Sequence, residues 1–167
     1  ESGDMRAATD AFRRSVRADP RYTQGIAFLT LAHYWHRAYD SAAVWADSAV
    51  AVDPNYILGW ANVGFVAIER GDYARGRAAF DAARRLSTNV EVVNAEAGIA
   101  LAEARAGRTT EARALLRQAE AAAGPYRNGL HTDVWLAQVH AALGDATQAM
   151  DWLRRYEPPF IIIDFGT

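Results

Sequence analysis

Few residues in this chain stand at spacings that could do chemistry. His33 and His36, in "HYWH", lie one helical turn apart, a spacing two metal ligands can share. A metal site also needs a third ligand and groups that hold the ligands in place, and the chain has no cysteine to supply one. His131 and His140 are too far apart along one helix to share a face. "GDYARGRAAF", from Gly71 to Phe80, has the glycines of a phosphate loop. Such a loop follows a strand and carries Lys-Ser/Thr after its second glycine, whereas Gly76 is followed by Arg77 and Ala78, and the preceding segment reads as helix. No serine sits in a nucleophile elbow, and no carboxylate pair stands at helical spacing from a histidine. Asp40, Asp47, Asp53, Asp72 and Asp81 fall at turns or polar helix faces, where a solvated charge is the ordinary state. The expectation is a protein that is not an enzyme, with no metal and no cofactor.

Bulk charge excludes further classes. Net charge is −2 over 167 residues, and every basic side chain other than histidine is arginine. Arginines recur in the segments after the turns, among them Arg13, Arg14, Arg17, Arg75, Arg77, Arg84, Arg85, Arg113, Arg117, Arg154 and Arg155. Asp10, Asp19, Asp81, Glu111, Glu120 and Asp151 are interspersed with them, and no aromatic residues interleave as stacking platforms. A mixed, solvated face is expected, and no nucleic-acid partner. The longest apolar block, Phe160 to Ile163, is far short of the roughly 20 residues that span a bilayer, so no membrane partner is expected. With no cationic-then-apolar leader, the expected location is the cytoplasm, although the chain reads as cut at both ends.

What the chain does show is a repeat. Segments beginning at Gly3, Arg37, Gly71, Gly107 and Gly144 align, at steps of 34, 34, 36 and 37 residues. Five residues after each start stands a small residue: Ala8, Ala42, Gly76, Ala112 and Ala149. Four further on comes a bulky one, Phe12, Phe80, Leu116 or Leu153, with Ala46 the exception. Three more bring Ser15, Ala49, Ala83 or Ala119. Steps of four and three mark one face of a helix. The segments before each turn, such as "TQGIAFLTLAHYWHRA" and "ILGWANVGFVAIERG", are periodic in the same way. Each unit is thus two helices joined at a tight turn, and Pro20 and Pro54 end the second helix of their units. One such pair cannot bury both its faces; stacked neighbours can.

This pattern resembles the tetratricopeptide repeat. The third unit carries the resemblance best, with Trp60, Val63, Gly64, Gly71, Tyr73, Gly76, Phe80 and Ala83 at the family's marked places. Leu29, Tyr39, Ala42, Ala49 and Pro54 in the second unit, and Leu136, Ala137, Gly144, Ala149 and Leu153 in the fifth, support it. Departures are Thr88 where proline is usual, and extra residues near the first helix of units four and five. The resemblance implies an all-α, right-handed superhelical solenoid of helical hairpins, about four and a half repeats long. A repeat domain spans 1–157, with a partial unit at 1–22 and units at about 23–56, 57–90, 91–126 and 127–157. Residues 158–167 form an apolar tail, whose β-branched run favours an extended segment. Gly76, where other copies hold alanine, is expected to accept alanine without loss.

The resemblance also implies that the first helix of each unit lines a concave groove that binds a peptide or helix. At the groove positions stand Gln24, Leu31, Tyr34 and Trp35, then Leu58, Phe65, Ile68 and Glu69, then Asn94, Leu101 and Arg105, and last Gln138. The N-terminal half of this set is apolar and aromatic, which suits an apolar partner segment. Tyr34, Trp35 and Phe65 could equally pack on one another or on an upstream unit. Family members that grip a terminal carboxylate use basic residues where this chain has Ala27, Leu31 and Ala61, so that mode is disfavoured, and Asn62 alone is no clamp. A protein-interaction scaffold is expected, its partner a protein or peptide, or the chain's own tail. The alternative, on resemblance to the C-terminal parts of bacterial signalling proteins, is a regulatory or self-association module of a larger enzyme or transcription regulator.

Overall fold

The computed structural model of the chain describes residues 3–88, 90–124 and 132–155. Among them are nine α-helices and no strand. They are α1 (Gly3–Ala18), α2 (Thr23–Trp35), α3 (Tyr39–Val52), α4 (Ile57–Glu69), α5 (Tyr73–Leu86), α6 (Val90–Arg105), α7 (Thr109–Ala123), α8 (Thr132–Ala142) and α9 (Ala146–Arg155). Helices α2–α3, α4–α5, α6–α7 and α8–α9 pair as antiparallel hairpins, and successive hairpins stack. The architecture is an all-α tetratricopeptide-type solenoid. The expected tail at 158–167 lies outside the described residues, as does His131.

One turn chemistry joins every hairpin. Gly71, Gly107 and Gly144 stand at φ near +80°, and Arg37 takes the left-handed region at φ 57°. The residue after each donates its N–H to the carbonyl five residues back: Ala38 to His33, Asp72 to Ala67, Arg108 to Glu103 and Asp145 to His140. This is the Schellman ending of a helix, which satisfies carbonyls that would otherwise be orphaned. The turns between units repeat as well. In "DPRY" and "DPNY" an aspartate side chain accepts from the residue two on, Asp19 from the Arg21 N–H and Asp53 from the Asn55 N–H, each at 2.9 Å. The proline then blocks continuation of the helix.

Rings seated in glycine-sized gaps set the stacking. Phe80 on α5 is fully buried. A Cβ added at Gly64 on α4 would lie 2.6 Å from that ring, and one added at Gly98 on α6 would lie 2.4 Å from it. One side chain therefore fixes the approach of its own hairpin partner and of the next unit. Gly76 is also tight, contrary to its expected tolerance. A Cβ there would meet Ile68 Cγ1 at 2.8 Å and the Gly64 carbonyl oxygen at 3.3 Å. Units with alanine at this place put something other than isoleucine opposite; in the fourth, Ala112 is paired in register with Ala104. The last hairpin departs in another way. Trp152 is buried, while Leu153, expected at the bulky core position, is 42% exposed. No described helix follows α9 to cover it.

The junctions between units differ. Helix α6 rests mainly on α5, as α4 rests on α3, but α8 leans more on α6 than on α7. Its Trp135 passes α6 to reach α4 and α5. The ring lies 4.5 Å from Phe65 and 5.7 Å from Phe80, both edge-on. Helix α6 allows this because its middle is built of Ala95, Ala97, Gly98, Ala100 and Ala102.

Candidate functional site

The first helices of four units, α2, α4, α6 and α8, enclose a cleft of about 630 Å³. Helix α2 contributes Leu31, Tyr34 and Trp35, and α4 contributes Leu58, Asn62 and Phe65. Phe80 forms part of the wall from α5, Glu91 and Asn94 come from the start of α6, and Trp135 and Gln138 come from α8. The periodicity that builds the fold also builds the cleft: positions one turn apart on each first helix face the same side.

The aromatic residues are held by one another. The Tyr34 ring lies 5.6 Å from Tyr39 and 6.3 Å from Phe65, and Phe65 lies 5.2 Å from Phe80. Packing against neighbours and facing the cleft, open alternatives in the sequence, both hold for Tyr34 and Phe65. Trp35 differs: it lines the cleft yet is 61% exposed. Burial, reinforced by the Glu69 carboxylate, pushes the Tyr34 hydroxyl up to about 12, so it stays a donor at neutral pH. It donates to Glu69 at 3.4 Å. Burial likewise raises the Tyr56 hydroxyl at the other end of the cleft.

Of the residues expected on the groove, Leu31, Tyr34, Trp35, Leu58, Phe65, Asn94 and Gln138 come together around the cleft. Ile68 and Leu101 turn inward and are buried in the core, Ile68 against Gly76. Gln24, Glu69 and Arg105 are exposed and do not line it; Gln24 accepts from the Tyr22 hydroxyl at 3.2 Å. Sequence reasoning missed Tyr56, Glu91 and Trp135. Tyr56 had a signal, since it repeats Tyr22 after the same Asp-Pro turn. Trp135 had none, because its place in the cleft depends on the lean of α8.

Two polar residues stitch the walls. Asn62 is 1% exposed and donates its Nδ2 to the Ala27 carbonyl at 3.0 Å, tying α4 to α2. Its Oδ1 has no partner among the described residues and is closed off from solvent. Thr132 donates to Asn94 Oδ1 at 2.9 Å and ties α8 to α6.

The opposite surface is an ion-pair lattice. Arg13–Asp10, Arg84–Asp81 and Arg154–Asp151 pair within their own helices. Arg75 reaches Asp47, and Arg113 reaches Asp145 at 2.6 Å, each joining neighbouring units. Glu103 is fully buried between Arg77 and Arg108, and Arg77 also holds Glu111 at 2.8 Å. Burial alone would raise the Glu103 carboxyl; hydrogen bonds from Arg108 and Arg77 outweigh it and hold the group below the usual range. Among the described residues, no three His, Asp or Glu are grouped so as to hold a metal. His140 is buried and its Nε2 lies 2.9 Å from Glu120. No helix among the described residues is long and apolar enough to cross a membrane.

Residues 66–128 match the family model described as tetratricopeptide repeat. Solved structures similar to this one include a thermophilic TPR protein of Thermus thermophilus, at TM-score 0.71 and 18% identity, covering 92% of this chain and 81% of that one. Another is PilW, a widely conserved type IV pilus biogenesis factor, at TM-score 0.68 and 20% identity, covering 93% and 70%. A third is MamA, at TM-score 0.64 and 16% identity, covering 92% and 87%. At these identities the likeness is one of fold. No curated protein matches the sequence. The repeated turns and the ring-in-glycine stacking carry the tetratricopeptide repeat fold along the described helices, and residues 66–128 match the sequence pattern of that family.

Proposed function

We propose that the protein is an interaction scaffold whose apolar cleft receives a segment of a partner protein. The described lining of the cleft is mainly apolar and aromatic, a surface that suits burial. The observation that carries the reading is Trp35. A tryptophan 61% exposed at the lip of an apolar cleft is the kind of residue that anchors interfaces. Leu31 and Leu58 extend the same surface across two units. On the opposite face Arg13, Arg84 and Arg113 are each answered by an aspartate, and the net charge is −2, which supports a protein partner over nucleic acid. No observation favours the alternative of a module regulating a larger signalling enzyme.

The test is a peptide selection on the intact protein, followed by calorimetry with Leu31→Ser, Trp35→Ala and Leu58→Ser. These side chains are exposed or half-buried, so the fold should persist, as helical circular dichroism would verify. Affinity should fall about tenfold or more for Trp35→Ala, the scale of an interface anchor. Unchanged affinity in all three variants would remove the cleft as the binding site.

A further inference from the structure

The cleft has a charge as well as a shape. Among the described residues no arginine or histidine lines it, and Glu91 is the one charged side chain in its lining. Glu91 stands in the first turn of α6, where the helix dipole favours an acid. It is half-buried and has no ion-pair partner among the described residues. By contrast, Asp10, Asp47, Asp81, Glu103, Glu111, Asp145 and Asp151, away from the cleft, each hold an arginine. Asn55 and Tyr56 flank the same end of the cleft and add polar groups but no cation.

The chain's own tail fits this charge poorly. Residues 156–167, "YEPPFIIIDFGT", hold Glu157 and Asp164 and no basic side chain. Seated in the cleft, from the same copy or a second one, they would bring acid toward Glu91 with no cation among the described lining residues to receive it. A partner of opposite sign meets both demands of the site. Resting on the reading of the cleft as a binding site, we infer that its occupant is a peptide segment in which a bulky apolar residue is followed closely by a basic one. The apolar side chain enters between Leu58, Phe65 and Trp135, and the cation meets Glu91. A cleft of about 630 Å³ lies within the range that holds such anchors. Complementary charge at the rim then sets which partner is chosen more than how tightly it binds.

The experiment uses the full chain and four synthetic peptides in calorimetry at low and physiological salt. Three share one Leu-Phe core and carry Arg, Gln or Glu on the flanks; the fourth is the tail sequence. The Arg-flanked peptide should bind up to about fivefold more tightly than the Gln-flanked one, the scale of one half-exposed ion pair. Added salt should shrink that ratio. Glu91→Gln should bring it close to one, while Glu96→Gln, on the same helix but outside the cleft, should leave it intact. Equal binding of Arg- and Gln-flanked peptides, a ratio that survives in Glu91→Gln, or tightest binding by the tail peptide would overturn the inference while leaving the cleft a binding site. Failure of all four peptides to bind would overturn both.

Discussion

The third-to-fourth and fourth-to-fifth junctions solve the same problem in different ways. Between units three and four, Phe80 sits against Gly64 and Gly98, and the carboxylate of Glu103 is clamped by Arg77 and Arg108. Contact runs from the second helix of one unit to the first helix of the next, as regular stacking requires. Between units four and five the first helices carry most of the contact, and Trp135 reaches over α6 to Phe65 and Phe80. The second helix α7 shares the apolar core through Leu116, Ala119 and Ala123 and adds polar links: Arg113 to Asp145, and Glu120 to His140 and Trp152. The regular junction builds the rod, and the leaning one closes an end of the cleft. In repeat proteins, stability is approximately a sum over nearest neighbours. The Phe65–Trp135 contact is a second-neighbour term, and it places the binding surface and the terminal hairpin in one unit.

Substitutions can break this contrast. The largest effect belongs to Phe80→Ala, which should cost about 3–5 kcal/mol and lower the melting temperature of the whole repeat array. If only one hairpin melted early, Phe80 would not couple three helices as described. Trp135→Ala, half-buried, should cost about 2–3 kcal/mol. Hydrogen exchange should then rise in α8 and α9 and along the cleft face of α4, but not in α1. Protection unchanged in α4 would deny the second-neighbour contact.

A smaller effect separates the junctions by pH. The Glu103 carboxyl is lower in the folded chain than its ordinary value of 4.5. Its contribution is therefore whole above about pH 4.5 and is lost as pH falls through the folded value. Glu103→Gln should cost about 1–2 kcal/mol at pH 7, because both arginines remain partly solvated. It should also flatten the loss of stability between pH 5 and about 3 in urea titrations. A parallel acid limb in the variant would show that the clamp adds nothing. Smallest is Gly76→Ala, expected to cost about 1 kcal/mol through its contact with Ile68. Ile68→Val combined with it should recover part of that loss. A stabilised single variant would mean that Ile68 yields freely.

Much of the fold was legible because it is written five times. The turn residue, the small residue five places on and, in four of the five copies, the bulky residue four beyond that are local in sequence and repeat in register. The cleft was legible only where a first helix keeps that register, as at Leu31, Leu58 and Phe65. Trp135 was hidden because its neighbours are set by how α8 leans, and the extra residues in units four and five signalled irregularity without its direction. Ile68 was misplaced because an empty site opposite, Gly76, drew it inward. Glu103 looked like any helix glutamate, since one of its arginines lies 26 residues away.

The sharing of one ring by two glycines bears on how this chain can change over time. Any side chain at Gly64 or Gly98 meets Phe80 first, and any smaller residue at Phe80 empties space beside both. None of the three can drift alone. In divergent relatives these positions should therefore vary together or not at all, so that three helices separated in sequence are inherited as one character.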